Sequence, residues 1–506
     1  MVLADILDGG IPFQGYLIGS TILLFVYLIV DALYQLYFSP LANIPGPWYA
    51  AISGIWYISK LLRGQSMFAI HDLHERYGPY VRVSPNDIMI SDAEAVKKIH
   101  STFDVFPKSD VYKKAGLIQK SIAIMVDHDE VKKRRKAIGN GFSNSHMRSL
   151  ELVICGKVDL CVKKIKQDLE AKGVADILPW FGFLSTDTIG QIAFGKDFKM
   201  LANGMEGHTF GRDLMLASGV MFVRGHIPGG KYLESLVSSI PHPTIKWVFE
   251  SGQRVFTYTN QAIRDLQKGT TEDQDASSKS SVFSSILQNQ NDPAAKYKMT
   301  AEEMRDEALG FVLAGTDTLT ITGTYLIWAI LRHKEVRRKM EAELNTFTGD
   351  NITDEALQQL PYFKCVMKEV LRLYTGAQIG LPRTVPRGGR QLGPYFLPGG
   401  TGVMTPIYSI HRDPTIFEEP LLFRPGRWLS ATKDMEAAIL AFGGASRICV
   451  GQNLAKMILR LLAATILKQL PDVGLADSCT DESMEFAPRL FVAAKGGKCE
   501  LQNRRE

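Results

Sequence analysis

The strongest constraint on this chain is a long uncharged segment near its beginning. Residues 9 to 30 contain no charged side chain, and the second half of this stretch is mostly aliphatic or aromatic. At 1.5 Å per residue, a helix of these 22 residues spans about 33 Å, which is enough to cross the hydrocarbon core of a bilayer. The segment therefore predicts one transmembrane helix, and any globular fold must come from the rest of the chain.

Charged residues on either side of this helix predict its orientation. Asp5 and Asp8 precede it, no Lys or Arg does, and the first basic residue after it is Lys60. A cleaved signal peptide would begin with basic residues and carry a shorter apolar run, so we interpret the segment as a retained single-pass anchor. Basic residues favour the cytosolic side. We expect residues 1–44 to form the anchor and juxtamembrane segment, and residues 45–506 to form one cytosolic domain.

Apolar spacing in the remainder predicts a mainly α fold with a minor β component. The polar stretch 268–298 predicts a solvated loop with one helical turn at 282–287 rather than a domain boundary. Short β-like stretches lie at 79–90 and 380–405, with Pro and Gly punctuation. Helical periodicity is strongest in the segments 68–77, 92–101, 146–171, 300–333, 334–347, 362–374 and 451–470.

Composition excludes several classes of protein. A net charge of +5 over 506 residues is too small for a nucleic-acid-binding protein, which would concentrate Lys and Arg. Six cysteines without a C-x-x-C pair form neither a disulfide scaffold nor a zinc ribbon. We therefore expect no nucleic-acid partner.

One of the six cysteines lies where a thiol is chemically useful. Cys449 sits in the glycine-rich stretch 442–451, immediately before a segment with helical periodicity. Backbone N–H groups and the helix dipole lower the pKa of a thiol placed there and favour the thiolate. A thiolate is a good axial ligand for haem iron, and Arg447 could pair with a haem propionate. The alternative is a buried cysteine at a turn.

The spacing within this stretch resembles the cysteine loop of the cytochrome P450 family, F-x-x-G-x-R-x-C-x-G. Ala445 stands where the family usually has glycine, and we expect its methyl group to require a negative φ or a small adjustment of the loop. The matching residues are Phe442, Arg447, Cys449 and Gly451.

A second motif places an acid and a base on one helical face. Glu369 and Arg372 fit E-x-x-R, and Arg427 follows in Phe-Arg-Pro-Gly-Arg-Trp. E-x-x-R alone is weak, because two other pairs in the chain fit it: Glu302 with Arg305, and Glu335 with Arg338. By resemblance, Glu369, Arg372 and Arg427 form a buried structural triad behind the cysteine loop.

A third motif, Ala-Gly-Thr-Asp-Thr at 314–318, lies inside the helical segment 300–333. A glycine inside a helix costs about 1 kcal/mol relative to alanine, which suggests close approach of a ligand at Gly315. Adjacent acid and hydroxyl groups can relay protons through water, although such a threonine often bonds its own backbone instead. The resemblance implies that Thr318 and Asp317 deliver protons for dioxygen activation, while Ala314 and Gly315 lie over the porphyrin.

The resemblance extends along most of the chain and implies a function. It implies a haem-thiolate monooxygenase that binds haem b through Cys449, holds the propionates with Arg135, Arg383 and Arg447, and inserts one atom of O2 into a lipophilic small molecule. Electrons would come from NADPH through a cytochrome P450 reductase. The anchor, the Pro-Gly-Pro hinge at 45–47 and the His-Arg-Asp-Pro segment at 411–414 are most similar to fungal members of the endoplasmic reticulum membrane that build secondary metabolites.

The substrate pocket follows less directly. We expect it to be lined by Phe311, Ala377, Ile379 and Leu381, with further walls from 111–125 and 210–225. An apolar lining is compatible with a terpenoid, a polyketide, an indole alkaloid or an aromatic acid.

Two other functions use the same cofactor. A haem-thiolate isomerase or dehydratase needs no O2, but such relatives tend to lose the acid–alcohol pair that Asp317 and Thr318 supply here. A membrane-tethered haem carrier or sensor would show the same spectrum without turnover.

Three further patterns carry weaker hypotheses. Residues 190–196 spell most of a phosphate-binding loop, but Asp197 replaces the Ser or Thr that binds magnesium. His71 and His74 lack an evident third metal ligand. The basic run 132–136 is either a solvated face or a docking surface for an acidic electron donor.

Overall fold

A computed structural model describes residues 13–504 with internal gaps at 115–117, 119, 196, 205–208, 228, 270–280, 284–285, 287–296, 348–351 and 488–491. The first half of the chain forms helices α1 Phe13–Leu33, α2 Trp48–Ile52, α3 Ile55–Leu62, α4 Ser66–Tyr77, α5 Ala93–Ile99, α6 Val111–Lys114, α7 His128–Gly139, α8 Asn144–Ser149, α9 Glu151–Lys172, α10 Ile177–Phe194, α11 Met200–Asn203, α12 Thr209–His226, α13 Gly230–Ser238 and α14 Pro243–Gly269. The second half forms α15 Ala301–Arg332, α16 Lys334–Leu344, α17 Asp354–Leu357, α18 Pro361–Leu373, α19 Ile407–Ile410, α20 Lys433–Ala438 and α21 Gln452–Gln469.

Nine short strands form three small sheets within the described ranges. They are β1 Tyr80–Arg82, β2 Asp87–Ile90, β3 Val174–Asp176, β4 Leu381–Thr384, β5 Arg390–Leu392, β6 Tyr395–Leu397, β7 Gly402–Thr405, β8 Val473–Leu475 and β9 Glu500–Asn503. The largest sheet has the order β1-β2-β7-β4, in which β2 and β7 are parallel and the other pairs antiparallel. The second sheet has the order β3-β9-β8, and β5 pairs with β6. The prediction of a mainly α fold with a minor β component is confirmed.

The main core lies between four helices: α9, α10, α15 and α21. Helix α10 is buried on nearly all sides and packs along α15, as expected for a helix that is apolar around its whole circumference. Helix α15 begins with a capping box, in which the Thr300 hydroxyl accepts from the Glu303 N–H at 3.2 Å and the Glu303 carboxylate accepts from the Thr300 N–H at 2.7 Å. Such a cap contributes about 1 kcal/mol, and it sets the register of the helix that carries residues 314–318.

The anchor is longer than the uncharged run that predicted it. The apolar helix extends from Gly15 to Phe38 with a mean hydropathy of 2.1, and none of this span is buried. Its end is tied to the largest sheet, because Arg82 of β1 donates to the Gln35 carbonyl and to its side-chain oxygen, both at 2.8 Å. The membrane-spanning candidate therefore joins the body at a fixed point.

Two expectations about the helices need correction. The predicted segment 146–171 is two helices, α8 and α9, which meet at Leu150. Most of the predicted loop 268–298 lies outside the described residues. Val282, Phe283 and Ile286 are described and helical, in agreement with the predicted turn, but they are buried in the main core, so the segment is not solvated at this point.

Candidate functional site

The cysteine loop runs from the end of α20 to the start of α21 and closes on itself. The Cys449 N–H donates to the Phe442 carbonyl at 2.8 Å, and the Gly443 N–H donates to the Leu440 carbonyl at 2.8 Å. Ala445 has φ +51°, so the expectation of a negative φ is wrong. The backbone keeps the left-handed conformation that glycine favours, at a cost of about 1–2 kcal/mol for an alanine.

Cys449 has a large accessible surface even though protein atoms surround it. This combination is typical of a side chain that faces a cavity. Burial raises the pKa of Cys449, while the Gly451 N–H and the charge of Arg135 act in the opposite direction. The sequence predicted a lowered pKa for the Cys449 thiol, but with the protein groups alone this pKa is raised. A stable thiolate here requires a further positive charge, such as a coordinated metal supplies.

Four cationic side chains converge near this loop without an acidic partner. Arg135 donates to the Ile448 carbonyl at 2.8 Å, Arg383 to the Pro382 carbonyl at 2.9 Å, and Arg447 to the Met125 and Val126 carbonyls at 2.9 Å each. The fourth, Lys108, donates to the Ala123 carbonyl. Within the described part of the chain, no salt bridge joins any of the four to a carboxylate.

The electrostatics of this cation cluster, Lys108, Arg135, Arg383 and Arg447, favour a bound anion. Burial lowers the pKa of Arg447 to about 10, and the charges of Arg383 and Arg135 add to this. Burial and the same three arginines lower the pKa of Lys108 well below its usual value. Like charges held close together and partly out of water are costly, and an anion with two carboxylates would relieve that cost. The residues therefore fit the two propionates of a haem.

Sequence patterns did not identify Lys108, and they placed Tyr112 only in a cavity wall without its hydroxyl contact to Arg383. Lys108 forms an isolated β-bridge with Arg383. No local pattern around residue 108 announces that pairing with a residue far along the chain.

Helix α15 presents the acid–alcohol pair to the interior. Ala314 and Thr318 are exposed and Asp317 is half-buried. The Thr318 hydroxyl donates to the Ala314 carbonyl at 2.8 Å, which is the backbone bond weighed as an alternative. Burial raises the pKa of Asp317 to about 6, and its carboxylate has no hydrogen-bond partner among the described residues. A carboxyl group with that pKa can hold or release a proton near neutral pH.

The reason for Gly315 differs from the expected one. A Cβ at this position would lie 2.6 Å from the Ile189 side chain of α10. The glycine is thus explained by the close packing of α10 on α15 rather than by the approach of a ligand.

A cavity of about 300 Å³ lies beside Ala314, Asp317 and Thr318. Ile379 lines it as expected, but Ala377, Leu381 and Phe311 are not among the lining residues. Phe311 packs instead on Phe142 and Phe283, with ring centroids 5.2 and 5.8 Å apart. The expected walls 111–125 and 210–225 contribute Val111, Tyr112, Ile118, Ala123, Ile124, Ser218, Met221, Phe222 and Gly225. His226 and Met404 also line the cavity and were not expected.

Glu369, Arg372 and Arg427 meet in a fully buried cluster. Arg372 pairs with the Glu369 carboxylate at 2.8 Å, and Arg427 does so at 3.1 Å. Trp428 adds an indole N–H bond to Glu369 at 2.8 Å, which the sequence reasoning missed. Neither of the other two E-x-x-R pairs is buried, so burial distinguishes the pair at Glu369 and Arg372 from them.

His411 connects this triad to the cysteine loop. Its Nδ1 lies 2.7 Å from the Arg372 carbonyl, and the Leu440 N–H donates to Nε2 at 3.0 Å. Burial lowers the pKa of His411 to about 3, so the ring is neutral and Nδ1 carries the proton. His411 therefore links the triad to Leu440, whose carbonyl accepts the Gly443 N–H at the start of the cysteine loop.

Two of the three weaker hypotheses, the phosphate-binding loop and the histidine metal pair, find no support. Residues 190–194 continue α10, so the stretch is the end of a helix and not a phosphate-binding loop. No cluster of three metal-ligating side chains occurs within the described ranges, and His74 bonds the Gly78 carbonyl. The basic run is split, because Arg134 and Arg135 turn inward while Lys132, Lys133 and Lys136 are exposed.

Comparison with known proteins agrees with this geometry. A family model described as Cytochrome P450 matches residues 44–471. Cytochrome P450 monooxygenase tazI of Aspergillus terreus is 34% identical over 484 residues, which cover 95% of this chain and 97% of the relative. Cytochrome P450 monooxygenase orf2 of Aspergillus niger is 30% identical, with 96% of each chain covered. Cytochrome P450 monooxygenase stcB of Emericella nidulans is 31% identical, with 90% of this chain and 87% of the relative covered.

Proposed function

This chain belongs to the cytochrome P450 family, and on that premise we propose that Cys449 ligates the iron of haem b while Arg135, Arg383, Arg447 and Lys108 hold its propionates. The chain is a haem-thiolate monooxygenase, and the bound haem supplies the activation of dioxygen. The observation that carries the residue assignment is the convergence of one buried and three half-buried cations, all without a carboxylate partner in the described part of the chain, beside the loop that carries Cys449.

The remaining roles fall to residues around the cavity. Asp317 takes up and releases protons, Thr318 positions water between that carboxylate and the cavity, and Ala314 lies over the porphyrin. The cavity wall is largely apolar, which selects a lipophilic substrate and excludes bulk water from the reacting atoms. Glu369, Arg372 and Arg427 hold the core behind the cysteine loop. Since both members of the acid–alcohol pair border the cavity, the isomerase or dehydratase alternative is not favoured.

The ligand assignment is tested by Cys449→Ala, with Cys155→Ala as the matched control because Cys155 is half-buried on α9. We expect the control to show the red-shifted carbon monoxide band of the ferrous haem-thiolate state, and the Cys449→Ala protein to lack it. A persistent band in Cys449→Ala would overturn the assignment.

Electrons come from NADPH through a cytochrome P450 reductase, which docks on the exposed lysines of α7. Lys132 and Lys133 are exposed on α7, and Arg135 of the same helix donates to the Ile448 carbonyl of the cysteine loop. Their positive charges can therefore attract an acidic partner close to this loop. Reversal of both charges to Glu should raise the reductase concentration needed for half-maximal turnover severalfold, most strongly at low salt. The same reversal at the exposed Lys163 and Lys166 of α9 is the control. Equal effects from the two double variants would contradict this docking site.

The chain acts at the endoplasmic reticulum membrane, as a single-pass protein whose residues 45–506 form one cytosolic catalytic domain. Support comes from the exposed apolar helix and from its fixed junction with the body. The three relatives described above are fungal monooxygenases of similar length, which supports a role in fungal secondary-metabolite biosynthesis. NADPH-dependent consumption of O2 tests the monooxygenase reaction. Identification of the metabolite that accumulates when the gene is deleted tests the biosynthetic role.

A further inference from the structure

The cavity wall carries one basic side chain, among the described residues, that the proposed mechanism does not use. Asp317 and Thr318 belong to the proton site, and the Tyr112 hydroxyl interacts with Arg383 in the cation cluster. The other polar side chains of the lining are Ser218 and His226, both on α12. They lie two turns apart, which is about 12 Å along the helix axis. His226 is in the last turn of α12, so it marks one end of this wall.

The orientation of the His226 ring is fixed by its own helix. Nδ1 lies 2.9 Å from the Phe222 carbonyl. A carbonyl oxygen can only accept a hydrogen bond, so Nδ1 carries the proton. The ring also packs on the Phe222 ring, with centroids 4.2 Å apart and planes 32° apart. These two contacts set both the tautomer and the direction of the ring.

The opposite ring nitrogen is therefore an acceptor. Burial lowers the pKa of His226, and this outweighs the Phe222 carbonyl and the Asp87 carboxylate, which act in the opposite direction. The ring is neutral at neutral pH, and Nε2 has a free lone pair. No described residue bonds to Nε2, so it remains available to a molecule in the cavity.

We propose that His226 Nε2 accepts a hydrogen bond from a hydroxyl group of the substrate, so that the enzyme selects lipophilic molecules with one such donor. This rests on the proposed function, because it assigns the cavity to the substrate. An acceptor on a largely apolar wall discriminates strongly, since a bound molecule without the donor covers Nε2 and leaves it unpaired. Binding the hydroxyl at the end of α12 also fixes which part of the molecule lies near Ala314 and Thr318.

The test uses the haem-loaded full-length protein and two ligands that differ at one group, 2-naphthol and its methyl ether. Their dissociation constants are measured by equilibrium dialysis at neutral pH for the native protein, His226→Leu and His226→Gln. Leucine removes the acceptor, whereas glutamine places an amide oxygen near the position of Nε2. His226→Asn is a second loss variant for the case that leucine disturbs folding, because its shorter amide reaches only the Nδ1 position. Met221→Leu is the control for an apolar change on the same wall.

We expect the native protein, Met221→Leu and His226→Gln to bind the naphthol about fivefold more tightly than the ether. We expect His226→Leu and His226→Asn to bind the two ligands equally. Equal binding by the native protein, a preference for the ether, or a preference that survives in both loss variants would overturn the proposal. The carbon monoxide spectrum of each protein separates this from the proposed function, because a native protein without the red-shifted band would contradict the monooxygenase site itself.

Discussion

At the scale of single residues, Ala445 departs from the pattern of its family and introduces backbone strain into the cysteine loop. Its φ of +51° is unfavourable for an L-alanine by about 1–2 kcal/mol. Glycine removes that cost. However, it loses more backbone entropy on folding than alanine does, which costs about 0.5–1 kcal/mol. We expect Ala445→Gly to stabilise the haem-loaded protein by up to about 1 kcal/mol, measured as a rise in the temperature of half-unfolding.

The control is Ala431→Gly, because Ala431 is half-buried and has an ordinary φ of −60°. That substitution carries the entropy cost without relief of strain, so its half-unfolding temperature should fall. The strain account is wrong if both variants move in the same direction.

Asp317 is the residue whose proton affinity is best matched to the reaction. Burial raises its pKa to about 6, so a useful fraction is protonated near neutral pH. Asp317→Asn keeps the shape and removes the proton, and we expect product formation to fall about 100-fold while NADPH oxidation falls much less. Glu302→Gln, an exposed acid on the same helix, should leave both rates unchanged. A proportional fall of both rates in Asp317→Asn would assign the residue to structure instead.

At the scale of elements, two acids of α15 hold the loop that forms one wall of the cavity. The Glu307 carboxylate accepts from the Ile122 N–H at 2.8 Å, and the Asp306 carboxylate accepts from the Lys120 N–H at 2.9 Å. The loop that carries these two N–H groups contributes Ile118, Ala123 and Ile124 to the cavity. The shape of the substrate site thus depends on a buried carboxylate that no sequence motif announces.

This arrangement predicts a pH dependence of stability. Burial raises the pKa of Glu307 from 4.5 to about 7, an effect larger than the opposing Ile122 N–H bond and Arg134 charge. A raised pKa means that ionisation is harder in the folded state, so stability is lost as pH rises from about 4.5 through about 7. We expect Glu307→Gln to flatten this fall by about 2 kcal/mol, seen as half-unfolding temperatures across that range.

The matched control is Glu302→Gln, since Glu302 is exposed on the same helix and should keep the pH dependence of the native protein. Other buried groups also titrate, so the comparison is between the two variants and not between absolute curves. A Glu307→Gln curve parallel to that of the control would contradict the account.

At the scale of the whole molecule, the sequence predicted the features that depend on neighbouring residues. It did not predict the contacts between residues that are distant in the chain. Most helices and the β-rich stretches followed from periodicity, and Cys449, Glu369 and Arg372 followed from spacing. Lys108 could not be found, because its role depends on a bridge to a strand far along the chain. His226 was missed for the same reason: its single functional atom is defined by a backbone carbonyl and a cavity, neither of which leaves a pattern in the sequence.

The last consequence concerns how the body sits on the membrane. Arg82 ties the end of the anchor to β1, and Asp87 of the neighbouring β2 is close enough to influence His226 at the end of α12. Helix α13 follows directly, and its Tyr232 and Leu236 are 81% and 70% exposed. Apolar side chains so near the anchor gain free energy by entering the bilayer interface. We therefore expect the body to make a second membrane contact besides the candidate membrane-spanning helix.

A chain lacking residues 1–38 should accordingly still bind phospholipid vesicles, and Leu233→Ser with Leu236→Ser should weaken that binding by about tenfold or more. The matched control is Leu152→Ser with Leu429→Ser, because Leu152 on α9 and Leu429 are 87% and 66% exposed and lie outside α12 and α13. Co-sedimentation with vesicles measures each protein. Since α13 directly follows the helix that carries His226, its insertion would also place that end of the cavity next to the bilayer, from which a lipophilic substrate can enter. Equal binding by the two double variants would exclude α13 as the contact, and failure of the truncated chain to bind vesicles would show that the anchor alone holds the enzyme at the membrane.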